Sequence, residues 1–146
     1  MPATTTIGSI LEHKGRTVHS VAPEASVYEA LKLMAEVNVG ALPVLESDKL
    51  IGIVSERDYA RKIVLVGRTS PDTPVRDIVS TSVVCTSPER TVKDCMAIMT
   101  KRGIRHLPVL DHKRVVGIVS IGDLVKTIIK DQEYVIEQLE HYIQGS

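Results

Sequence analysis

The chain has 146 residues, with 18 Lys and Arg against 18 Asp and Glu, so its formal net charge is zero. That length suits one ordinary domain or two small ones sharing a core, and 43% apolar with 25% charged residues argues against disorder. A zero balance excludes the electrostatic footprint of a general nucleic-acid binder, and no apolar run approaches the roughly 20 residues that cross a bilayer.

The N-terminus, Met1-Pro2-Ala3-Thr4-Thr5-Thr6, lacks the basic start and apolar stretch of a signal peptide. Cys85 and Cys95 are too few for a disulfide framework or a metal cluster, and they suit a reducing compartment. The expectation is a cytoplasmic protein without a membrane segment. There is no Phe and no Trp, so a planar ligand would be gripped mainly by aliphatic side chains.

Shifting the sequence by 65 positions lays residues 23–65 on residues 88–130 without a gap, and 14 of the 43 pairs are identical. Chance rarely holds register that long, so the chain is a tandem duplication. In each copy a β-branched stretch comes first, Thr17–Val21 or Ser82–Thr86, ending before Pro23 or Pro88. A helix follows, with Ser26 and Glu29, or Thr91 and Asp94, at the N-cap and return positions of a capping box. Its apolar set is Val27, Ala30, Leu31 and Met34, recurring as Val92, Cys95, Met96 and Met99.

Next, Leu42–Leu45 and Leu50–Val54 flank the polar Glu46-Ser47-Asp48-Lys49, as Leu107–Leu110 and Val115–Val119 flank Asp111-His112-Lys113-Arg114. That pattern predicts a hairpin. A second helix starts at Ser55 or Ser120 and, in the first copy, ends near Gly67. The expected class is α/β: two β-α-β-β-α motifs over 6–68 and 77–130, a linker at 69–76, and a C-terminal amphipathic helix and tail at 131–146. That last helix, over Asp131–Ile143, carries Val135, Ile136, Leu139, Tyr142 and Ile143 on one side. It holds four acidic residues and no Lys or Arg, so residues 1–130 carry 18 basic against 14 acidic side chains. The neutral total hides a modestly basic body and an acidic tail.

Catalysis finds no support: there is no Walker-type phosphate loop, no Gly-x-Gly-x-x-Gly, and no metal-ligand spacing among the five histidines. The sharper signal is a duplicated Ser-x-x-Asp after Gly-Ile-Val, at Ser55–Asp58 and Ser120–Asp123. One explanation is a capping box. The other is a phosphate at a helix start, with the carboxylate one turn away accepting hydrogen bonds from a ribose diol. Spacing alone does not separate them.

The repeat resembles the CBS domain, named for cystathionine β-synthase. The resemblance rests on Gly40-Ala41-Leu42-Pro43-Val44, Arg105-His106-Leu107-Pro108-Val109 and the two Gly-Ile-Val-Ser-x-x-Asp stretches, and it spans about Thr6 to Lys130. Small stand-alone bacterial CBS-pair proteins are similar in three further runs: Ser55–Tyr59, Arg105–Val109 and Ile136–Tyr142. The resemblance implies two motifs packed about a pseudo-twofold axis, two clefts between them, and an adenine nucleotide as regulatory ligand, AMP or NAD, with ATP possible.

It places the ribose-binding acids at Asp58 and Asp123 and the phosphate-contacting hydroxyls at Ser55 and Ser120. The adenine pockets it implies comprise Val18, Ser20, Val39 and Gly40 from the first copy, and Val83, Cys85, Ile104 and Arg105 from the second. Where the copies differ, Arg105, His106 and Arg57 are the candidate phosphate contacts, and Arg105 and His106 are expected to reach the cleft of Asp58. Arg57 and Arg61, one helical turn apart, suit either a grip on a second phosphate or a solvated basic face, and Arg61 fits the solvated face better. The expected protein is a non-catalytic sensor, homodimeric and signalling to an unidentified effector protein. The alternative is a structural dimerisation or docking module with vestigial clefts.

Overall fold

The computed structural model describes residues 5–15, 17–81 and 83–143. Helix α1 (Ile7–Lys14) precedes the first copy, which is built from α2 (Val27–Val37), β1 (Ala41–Glu46), β2 (Lys49–Ser55) and α3 (Glu56–Tyr59). A π-helical turn over Ala60–Val64 continues α3, and a 3-10 turn at Val75–Asp77 precedes the second copy. That copy comprises α4 (Val92–Arg102), β3 (His106–Asp111), β4 (Arg114–Ser120) and α5 (Ile121–Ile143).

The predicted hairpins form with the same register, Pro43 opposite Ile53 and Pro108 opposite Ile118. Their two-residue turns, Ser47-Asp48 and His112-Lys113, all take positive φ, the geometry that matches the twist of paired strands. Ser26 and Thr91 cap α2 and α4 by accepting from the amides of Glu29 and Asp94.

The two leading strands shrink to single parallel bridges, Val21 to Val44 and Thr86 to Val109; Ser82 lies outside the described residues. Val21 N donates to Pro43 O and Leu45 N to Val21 O, and the ladder stops there. The next bond would need an N–H from Pro43, which has none; Pro108 stops the second copy in the same way. The expected C-terminal helix forms, and it is continuous with the second helix of the repeat. Ile121–Ile143 is one uninterrupted helix of 23 residues, because no Gly or Pro breaks it near Lys130, whereas the first copy turns off at Gly67 with φ 76°.

Two apolar cores form, and each borrows from ahead of the other copy. Ile7, Ile10 and Leu11 of α1 pack into the second core with Cys95, Met99, Leu107 and Leu124. Val75 and Ile78 pack into the first with Met34, Leu42, Val54 and Ile63. Backbone bonds fix both crossings: Ile7 N to Arg90 O and Val92 N to Thr5 O in one, Val75 N to Ala25 O and Val27 N to Thr73 O in the other. Each core therefore needs both ends of the duplication.

Candidate functional site

The two Ser-x-x-Asp stretches are capping boxes in both copies. Asp58 N donates to Ser55 Oγ at 3.1 Å and Ser55 N to Asp58 Oδ2 at 3.0 Å. Asp123 N donates to Ser120 Oγ at 3.1 Å and Ser120 N to Asp123 Oδ2 at 2.9 Å. The Ser55 hydroxyl itself donates to Asp58 Oδ2 at 3.0 Å, so it is committed within the cap. Asp58 Oδ1 faces Ser80 Oγ at 3.3 Å and Lys62 Nζ at 3.4 Å. The cap holds the carboxylate in one rotamer, which is what a ligand-binding acid needs.

A cavity of about 770 Å³ opens beside Asp58. The first copy contributes Gly40, Ser55, Arg57 and Asp58 to its lining, and the second contributes Val83, Ile104, Arg105 and His106. Of the expected residues, these eight come together. A second cavity, of about 330 Å³, is lined by Val18 and Val39 along with Lys14, Pro43 and Ile118. The remaining four, Ser20, Cys85, Ser120 and Asp123, line neither cavity.

The structure thus sorts the apolar sets crosswise. Val83 and Ile104 of the second copy face the Asp58 of the first, while Val18 and Val39 of the first face Ile118 of the second. Arg105 and His106 line the Asp58 cavity. His106 does so against Gly40, where an added Cβ would lie 3.5 Å from His106 Nε2 and 3.2 Å from Glu56 Oε1. Burial pushes the His106 pKa down, and the charges of Lys14 and Arg105 push it the same way against Asp123. It is therefore a neutral hydrogen-bonding group near neutral pH, not the cation that its place beside Arg105 implies. Burial pushes both thiols up, which disfavours the reactive thiolate at Cys85 and Cys95; Cys95 Sγ lies 3.1 Å from Thr86 Oγ1.

Three lining groups escape a motif-based reading. Arg61, assigned to a solvated face, lines the cavity from the π-helical turn, one turn after Arg57. Glu56 brings a carboxylate to the same rim. Ser80 enters from the segment ahead of the second copy, paired through Ser80 N to Ile53 O and Ile53 N to Ser80 O. A heptad or capping pattern would not find Ser80, because its place is set by a bridge between segments 27 residues apart.

A duplicated hairpin-and-helix unit, with a cavity shared between its copies, defines a tandem-repeat module. A family model of the CBS domain matches residues 14–65 and 75–130, and the chain belongs to that family. A signal-transduction candidate with CBS domains from Burkholderia ambifaria is 48% identical, with a TM-score of 0.83 over 88% of this chain and 96% of that one. The mitochondrial CBS domain-containing protein CBSX3 of Arabidopsis thaliana is 39% identical over 97% of this chain and 73% of its own length. YhcV of Bacillus subtilis, also a CBS domain-containing protein, is 36% identical over 81% and 84%. The family's pairs are regulatory and signalling modules. No helix among the described residues is long and apolar enough to cross a membrane.

Proposed function

We propose that the chain is a non-catalytic sensor that binds one adenine nucleotide, AMP, NAD(H) or ATP, in the cleft of Asp58. The observation that carries this reading is the convergence on one 770 Å³ cavity of a capped carboxylate from one copy and an aliphatic wall from the other. Its volume lies within the ordinary range for small-ligand sites. Adenine lies between Ile53, Val83 and Ile104, which fits a chain without Phe or Trp. The ribose diol donates to Asp58 Oδ1, displacing Ser80 and Lys62. Phosphate meets Arg57, Arg61 and Arg105, with His106 as a neutral donor; three guanidinium groups outweigh Glu56 at that end.

Thermal unfolding tests this. AMP at about 100 times its Kd adds roughly 2.7 kcal/mol to stability, which for a chain of this size raises Tm by roughly 5–10 °C. Ligand-free protein whose Tm ignores AMP, ATP, NAD and NADH alike would overturn the sensor reading.

One observation favours the second reading, a dimerisation or docking module. The distal half of α5 leaves Ile136, Leu139, Tyr142 and Ile143 at 53–79% exposure, a stripe that a helix normally covers. A second copy is the expected cover, and a CBS-CP12 protein of bloom-forming cyanobacteria, 28% identical, is hexameric. Removing residues 131–146 is expected to halve the mass measured by light scattering behind size exclusion. An unchanged mass would show that the stripe does not hold the copies together.

A further inference from the structure

The two clefts are built alike around their acids but differ in one substitution of parts. Beside β2, Ser80 supplies both partners: its amide donates to Ile53 O at 3.0 Å and its hydroxyl to Asp58 Oδ1 at 3.3 Å. Beside β4, Lys14 at the end of α1 does both jobs with one ammonium group. Lys14 Nζ donates to Ile118 O at 2.9 Å and to Asp123 Oδ2 at 2.7 Å, and Ile118 is the repeat equivalent of Ile53. The cause lies in the preceding segment. Ahead of the second copy the chain makes one 3-10 turn and then extends along β2, whereas ahead of the first it runs two turns as α1 and lays a side chain there.

From this we infer that Lys14 is a built-in occupant of the second cleft, which makes the protein bind a single nucleotide in the cleft of Asp58. The inference rests on the sensor reading above. Lys14 lines the smaller cavity, while Asp123 and Ser120 are shut out of it, so the acid that would hold a ribose is already neutralised. The remaining 330 Å³ is less than half the volume beside Asp58. The phosphate end is also poorer: Gly122 stands where Arg57 does, and Gly40 and Ala41 where Arg105 and His106 do, which leaves Lys126 in the place of Arg61 as the one basic counterpart. Among the described residues lining the smaller cavity, Lys14 is the one Lys or Arg, and it is spent on Asp123. Burial opposes ionisation of Asp123, yet the bond from Lys14 and those from Ser120 overcome it and hold the carboxyl below its usual range. The pair is therefore intact at neutral pH.

Titration calorimetry with AMP and adenosine on the full chain tests the inference. Wild type is expected to bind one AMP per chain, and Asp58→Ala to bind it about a hundredfold more weakly. Adding Lys14→Met to Asp58→Ala uncovers Asp123 and strengthens adenosine binding by about tenfold to a hundredfold, the cost of displacing a charged hydrogen bond. Adenosine is the probe because three of the four phosphate contacts proposed for the Asp58 cleft, Arg57, Arg105 and His106, have no charged or hydrogen-bonding counterpart here. Two AMP per wild-type chain, or no gain of adenosine binding in the double variant, would overturn the role of Lys14 alone. Absence of AMP binding in wild type overturns this inference and the sensor reading together. Melting curves of both variants establish that they are folded at the titration temperature.

Discussion

Gly52→Ala is expected to destabilise the protein by about 3 kcal/mol and to lower Tm by roughly 6–12 °C. The added Cβ would lie 2.4 Å from Val79 Cγ2 and 2.6 Å from Ser80 O. Rotating Val79 relieves the first clash. The second involves backbone, so relief means pushing the Ser80 segment off β2. That movement breaks the reciprocal pair between Ile53 and Ser80, each bond worth about 1 kcal/mol. Gly117→Ala at the equivalent position meets Leu11 Cδ2 at 2.7 Å, the far end of a flexible side chain, and is expected to cost about 1 kcal/mol. Urea unfolding of the two variants reads the difference. Equal losses would show that β2 tolerates displacement of its neighbour, and AMP affinity should fall only in Gly52→Ala, since Ser80 lines the Asp58 cavity.

Asp58→Ala is expected to weaken AMP binding by about a hundredfold, since two charge-assisted hydrogen bonds to a diol contribute together about 3 kcal/mol. The same change removes half a capping box and costs about 1 kcal/mol of stability. Binding loss through the cap must be separated from binding loss through the ligand. Thr91→Ala supplies the control: it deletes a cap bond of similar length at α4, the one from Asp94 N, at a residue that does not line the cavity. Similar melting losses with a hundredfold difference in Kd are the expected pattern. Affinity within threefold of wild type in Asp58→Ala would remove the carboxylate from the ribose role.

Much of the fold was legible because its signals are local or repeated. The hairpins follow from apolar runs around Ser47-Asp48 and His112-Lys113, and the caps from Ser26, Ser55 and Thr91 at helix starts. The gapless repeat made each copy evidence for the other. The leading strands were overestimated because β-branched residues record a preference, while the ladder depends on an N–H that Pro43 and Pro108 lack. Helix α1 was not assigned to any element, although Thr6 caps it by accepting from Ser9 N at 3.3 Å. Its apolar residues, Ile7, Ile10 and Leu11, have meaning only against the core of the other copy.

The candidate site divides the same way. The sequence alone determined that there are two acids, two hydroxyls and a cationic bias towards Arg57 and Arg105, because these are properties of aligned copies. Neutral net charge was already resolved into a basic body and an acidic end. Only the tertiary structure decided that Val83 and Ile104 face Asp58, since pairing across a pseudo-symmetric interface leaves no trace in the spacing of either copy. It alone put Arg61 on the cavity and made His106 neutral, because burial and neighbouring charge are not encoded by residue type. It also set Lys14 against Asp123, 109 positions away. A repeat shows what its copies share; their inequality arises where a non-repeated segment crosses over to pack on the opposite copy.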